Sequence, residues 1–127
     1  MPVRSLSWPV LKWPAARQVD QAVRRWVAQV AESRPEITRV GYFGSYARGD
    51  WGVGSDLDLI IIVEQSELPP EPRAAQWDTT GLPVPVELLV YTTAEWERLS
   101  RQGQFHATVM LETVWVYVRG AGRGGWS

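Results

Sequence analysis

The chain has no cysteine and no asparagine, and it carries one lysine, Lys12, and one histidine, His106. Without cysteine there can be no disulfide, no thiolate-ligated zinc and no thiol nucleophile. His106 reads as a packing or solvent-facing residue rather than a catalyst. Positive charge is not in excess: 13 Lys and Arg against 14 Asp and Glu leave a formal net charge of −1, so there is no basic footprint and no strong nucleic-acid signal. No apolar run approaches the length of a membrane span, and Pro2, Pro9 and Pro14 interrupt any leader-like stretch near the start. The expectation is a soluble cytoplasmic protein with no membrane partner. The scarcity of lysine and asparagine beside many arginines and 9 prolines is the bias of a thermophile or of a GC-rich genome.

What the sequence does contain suits one globular domain. At 127 residues the chain can bury a real core, and 45% hydrophobic against 21% charged residues separates it from disordered chains. Residues 1–14 form an arm in which Trp8 and Trp13 each precede a proline, which favours extended backbone. Those indoles either pack over the domain's own core or present a patch to a partner. Residues 15–118 carry the regular patterning, and the Gly-rich end, 119–127, is flexible by composition, with Trp126 a candidate for docking on a partner.

Val19, Ala22, Val23, Trp26, Val27 and Val30 recur at helical spacing and predict an amphipathic helix from about Ala15 to Ser33, with Pro35 beyond its end. Ile37 to Phe43 reads as a strand stopped by Gly44, and Leu57 to Val63 as an almost continuously apolar central strand covered on both faces. Residues 64 to 83 are acidic and proline-rich; a short helix over Arg73 to Asp78, begun by Pro72, is expected to break up that connection. Val84 to Tyr91 alternates as a strand, and Pro85 marks it as exposed along part of one edge. Thr92 and Glu95 form a capping box for a helix to about Gln102 with Gly103 as its stop, and a last strand lies around Val114 to Tyr117.

The chemistry concentrates in residues 41 to 63, GYFGSYARGDWGVGSDLDLIIIV. Ten residues separate Ser45 from Asp56, and Asp56 and Asp58 then open the central strand. Alternate residues of a strand share a face, so the two carboxylates project together while Leu57 and Leu59 project to the other side. Two like charges at about 4 Å repel by roughly 4 kcal/mol at an effective dielectric near 20. A bound cation or a shared proton relieves that cost, and oxygen-only ligands select hard ions such as Mg²⁺. The competing reading makes Asp56 a turn residue after Gly54 and Ser55, and puts Asp58 on a solvated strand face.

Backbone N–H groups near Gly44 and Ser45, at the start of a short helix through Ala47, offer a cradle for phosphate. Arg48 either adds a cation to that cradle or pairs with Asp50 at the surface. No GKS or GKT follows the glycines, so this is not a Walker A loop. Glu87 is a carboxylate within an apolar strand, which either faces the same cation or stands on an exposed face.

With the Gly-Ser pair, the ten-residue gap, the DLD and the later VELLV together, the chain resembles the DNA polymerase beta superfamily of nucleotidyltransferases. More narrowly, it is similar to the minimal nucleotidyltransferases (MNT) paired with HEPN-domain proteins as antitoxin and toxin. The resemblance covers roughly residues 15 to 118 and is strongest from GSYARG through SDLDL. It implies an α/β (α+β) nucleotidyltransferase fold, a small mixed β-sheet flanked by helices. It further implies that Asp56 and Asp58 bind Mg²⁺, two ions in all. Gly44 and Ser45, with Arg48, would hold the phosphates of ATP or another NTP. Glu87 stands where the family's third carboxylate, usually Asp, belongs.

The resemblance also implies the reaction: transfer of AMP from ATP to a hydroxyl of a HEPN-domain partner, which would silence it. The acceptor surface is then supplied by a second polypeptide or by a homodimer or hetero-oligomer. Two other readings compete with this one: a non-catalytic antitoxin or nucleotide-binding module that covers its partner, and a small-molecule, antibiotic-modifying nucleotidyltransferase.

Overall fold

The computed structural model describes residues 14–103, 109 and 111–120. Trp8, Trp13, His106 and Trp126, on which several expectations rest, lie outside them. The described elements run α1 (Ala16–Ser33), β1 (Ile37–Phe43), α2 (Ser45–Arg48), β2 (Leu57–Val63), α3 (Pro70–Arg73), β3 (Val86–Thr92), α4 (Thr93–Ser100) and β4 (Val114–Val118). The four strands form one sheet in the order β3-β2-β1-β4. β1 pairs antiparallel with both β2 and β4, while β2 pairs parallel with β3, so the sheet is mixed.

β2 sits inside the sheet because its side chains are apolar on both faces. Leu57, Leu59, Ile61 and Val63 join Val19, Val23, Trp26 and Val27 of α1 in one core. Ile60 and Ile62 point the other way, against Trp96 of α4 and Val109. The second core is mainly aromatic: Trp96 meets the Trp115 ring edge-on at 6.0 Å and lies 5.9 Å from Tyr91. Two separate cores clamp one strand, which makes β2 the rigid base for anything placed at its mouth.

The long connection after β2 is held by its own anchors. Pro70 opens α3 and a 3₁₀ turn, Ala74–Gln76, continues it, so the expected helix begins earlier and ends sooner than Arg73 to Asp78. Prolines are tolerated in a first turn, where their missing N–H would be unpaired anyway, and both Pro70 and Pro72 fall there. Trp77 and Leu82 are buried, Arg34 stacks over the Trp77 ring at 3.7 Å, and Trp26 Nε1 donates to the Asp78 carbonyl at 2.9 Å.

β3 is an edge strand, as Pro85 indicates. Its ladder begins at Val86 rather than Val84 because Pro85 has no N–H to donate; the Pro85 carbonyl still accepts from Leu57 N–H at 2.8 Å. On the outer edge Arg73 donates to the Val90 carbonyl at 3.1 Å and forks onto Glu95 at 2.6 and 2.9 Å. A buried guanidinium thus covers part of an edge that would otherwise be open to strand pairing. The Thr92–Glu95 capping box forms as expected, and α4 ends at Ser100, with Arg101 and Gln102 in a following turn.

Candidate active site

The predicted site residues come together at one end of the sheet, where β1 ends and β2, β3 and β4 begin. β1 delivers Gly44, whose φ of 79° and ψ of −153° suit glycine, and α2 starts immediately after it at Ser45. A β-carbon at Gly44 would overlap Asp58 Oδ2. The glycine is therefore required twice, by its backbone angles and by the carboxylate packed against it.

The loop from Gly49 to Asp56 is tied back on itself. Ser55 Oγ accepts from Gly52 N–H at 2.8 Å, and Trp51 stacks on Tyr46 with ring centroids 5.5 Å apart. Asp56 lies exposed just ahead of β2, and Asp58, two residues along and within the strand, is half-buried. Parallel pairing sets Glu87 of β3 directly beside Asp58, and antiparallel pairing sets Phe43 on its other side. Asp58, Ile60 and Ile62 therefore share a face with Glu87, Leu89 and Tyr91. The mouth of that face is acidic and its floor apolar.

Electrostatics follow from that placement. The Asp58 carboxyl is held above the ordinary carboxylate range by its burial, then by the charges of Glu87 and Asp56, with a further push from Glu112; Arg48 opposes the shift. Asp58 thus experiences Glu87 and Asp56 as one negative cluster, although Glu87 itself stands exposed. Glu87 occupies a solvated face, and its charge acts on Asp58. Among the described residues, no three carboxylate or histidine side chains are drawn close enough to enclose a metal ion.

Arg48 makes the surface pair with Asp50 and takes a second carboxylate partner. Its Nε donates to Asp50 at 3.1 Å in a largely solvated pair, and its Nη1 donates to Glu112 Oε2 at 3.3 Å. Ser45 begins α2, and its carbonyl accepts from Gly49 and Asp50 N–H at 2.9 and 3.1 Å.

Glu112 is the residue that sequence reasoning missed. It precedes β4, 68 positions from Gly44, and its Oε2 accepts from the Gly44 N–H at 2.8 Å. The only signal for it was a lone carboxylate just ahead of an apolar strand. What makes it part of the site is the pairing of β4 with β1.

A cavity of about 500 Å³ lies at the opposite end of the sheet, lined by Thr38, Arg39, Glu64, Thr93 and Arg119 among others, and includes none of the predicted site residues. No described helix is long and apolar enough to cross a membrane.

A four-stranded mixed sheet flanked by helices, with a Gly-Ser turn closing one strand and a DxD opening its neighbour, defines a nucleotidyltransferase fold. The chain belongs to the nucleotidyltransferase domain family, whose model matches residues 24–109. Its general chemistry is accordingly nucleotidyl transfer. Among solved structures the chain is similar to a candidate nucleotidyltransferase from Sulfolobus solfataricus, with a TM-score of 0.60 and 23% identity, over 82% of this chain and 84% of that one. At that identity the likeness speaks for the fold. No curated protein matches the chain by sequence.

Proposed function

We propose that the chain is a Mg²⁺-dependent nucleotidyltransferase that moves AMP from ATP onto a hydroxyl of a partner protein. We further propose that the partner is a HEPN-domain toxin, silenced by the modification. One observation carries the catalytic part: Asp58 is packed against Gly44 and lies under the combined charge of Glu87 and Asp56. Such a cluster is costly unless a cation or a proton relieves it.

The donors present are hard carboxylate oxygens, which suits Mg²⁺ in kind. Asp56 and Asp58 would hold two ions and Glu87 would help hold the catalytic one. Bound there, magnesium supplies charge neutralisation at the phosphates and a Lewis acid for the displacement.

The protein's own part is positioning and electrostatics. Gly44 and Ser45 receive the phosphates, with Arg48 at the rim. Glu87, exposed at the mouth, takes the proton of the incoming hydroxyl. The acceptor oxygen bonds to the α-phosphorus as the bond to the bridging oxygen breaks, and pyrophosphate leaves. Exposure of both Asp56 and Glu87 favours a macromolecular acceptor that brings its own walls to the site.

The deciding experiment titrates ATP calorimetrically into wild type and the Asp56→Ala/Asp58→Ala double variant, in excess Mg²⁺ and then in EDTA. It is paired with mass spectrometry of any captured partner. Binding that needs both metal and carboxylates, with an AMP adduct on a HEPN-domain protein, is the expected result. A double variant that still neutralises its partner would instead make the chain a non-catalytic cover. AMP transfer to an aminoglycoside by the isolated chain would point to antibiotic modification.

A further inference from the structure

One oxygen, Glu112 Oε2, accepts from both the Gly44 N–H at 2.8 Å and Arg48 Nη1 at 3.3 Å. These are the backbone donor and the cation to which the nucleotide reading assigns the phosphates. A carboxylate oxygen bridging an N–H and a guanidinium reproduces what a phosphate oxygen would do at the same place. We infer that Glu112 is an internal phosphate mimic, which holds the nucleotide cradle in shape when no nucleotide is bound and must be displaced for the phosphates to enter. The inference rests on the nucleotide reading above.

Three features support it. Glu112 is mostly buried, with 19% of its side chain exposed, so its negative charge is a poorly screened competitor for an anion. Asp58 packs against the same Gly44 whose N–H Glu112 holds, so the departure of Glu112 also removes a negative charge from beside the acidic pair. It approaches from the β4 side of Gly44, whereas Asp58 belongs to β2 on the other side of β1. Displacing Glu112 therefore does not require the acidic pair to move. The residue sets the affinity of the site for phosphate without contributing to chemistry on it.

The test compares wild type, Glu112→Ala and Asp50→Asn by calorimetric titration with Mg·ATP, with inorganic tripolyphosphate and with adenosine. Asp50 also pairs with Arg48, at 3.1 Å, but has no bond to Gly44, so it reports what removing one nearby negative charge does by itself. The expected result is that Glu112→Ala tightens ATP and tripolyphosphate by about tenfold, the scale of one charge-assisted hydrogen bond no longer contested. Adenosine binding should not change, and Asp50→Asn should gain clearly less. If the alanine variant is too unstable to titrate, Glu112→Gln is expected to move affinity the same way by a smaller factor.

Equal tightening by Asp50→Asn would reduce the effect to net charge and overturn the inference. So would wild-type binding of ATP that Glu112 substitutions leave unchanged or weaken. If wild type and both Glu112 variants all fail to bind ATP, the nucleotide reading itself falls and takes this inference with it.

Discussion

The carboxylate of Asp58 fills the space that a side chain on Gly44 would need. Gly44 directly follows β1 and Asp58 lies on the neighbouring antiparallel β2, where it pairs with Phe43, so the end of one strand and the start of the next are fitted to each other. Gly44→Ala is expected to force that carboxylate away while straining a backbone at φ 79°. The cost should be about 1–3 kcal/mol in a urea melt, together with loss of ATP binding. A variant with unchanged midpoint and affinity would show that the fit is not required.

Asp58 is expected to trade stability for function. Its carboxyl is raised in the folded protein, so folding favours the protonated form. Stability from this group is full below its ordinary value and declines as pH rises through the folded one. Asp58→Asn should remove that decline and melt higher at neutral pH. The gain should be under about 1 kcal/mol once solvent screening is allowed for, and nucleotidyl transfer should be lost. A lower melting temperature at neutral pH would contradict the electrostatic account.

Magnesium should stabilise the folded chain if Asp56, Asp58 and Glu87 hold it. Mass action predicts about 2.7 kcal/mol at a free concentration 100 times the dissociation constant, seen as a rise in melting temperature that EDTA reverses. The Asp56→Ala/Asp58→Ala variant should show no such rise. An identical rise in that variant would place the ion elsewhere.

The Arg73–Glu95 pair should govern the acid limb of stability. Paired mainly with Arg73, and hydrogen-bonded at Thr92, the Glu95 carboxyl is pushed down to about 2 from 4.5. A depressed folded value means the contribution is fully present above 4.5 and is lost as pH falls towards 2. Arg73→Ala strands a carboxylate beside an uncovered strand edge, and about 3–5 kcal/mol should be lost at neutral pH. Glu95→Gln should flatten the profile across that acid window; a profile as steep as wild type would assign the acid limb to other groups.

Local structure was largely legible because local physics dictates it. The 3.6-residue spacing from Val19 to Val30 suffices for α1, and the unbroken apolar run from Leu57 marks a strand buried on both sides. The Thr92 and Glu95 side chains satisfy helix N–H groups within one turn, so that helix start is readable from four residues. Boundaries slipped where proline removes a donor or permits an early helix start, at Pro85 and Pro70. The influence of Asp56 on Asp58 follows from their spacing two residues apart.

Which strands lie beside β2, and in which sense, was not legible. Pairing depends on how whole faces of α1 and α4 pack, and an isolated segment holds no information about it. The parallel β2–β3 register puts Glu87 beside Asp58, 29 positions away, and the β4–β1 pairing brings Glu112 to Gly44 across 68. By itself, the sequence determined the elements, the glycine turn and the acidic pair, because each rests on interactions within a few residues. The tertiary structure alone decided how Arg48 divides between Asp50 and Glu112, how Glu87 bears on Asp58, and that Glu112 belongs to the site. Those are contacts between residues that only the closing of the sheet brings within reach of one another.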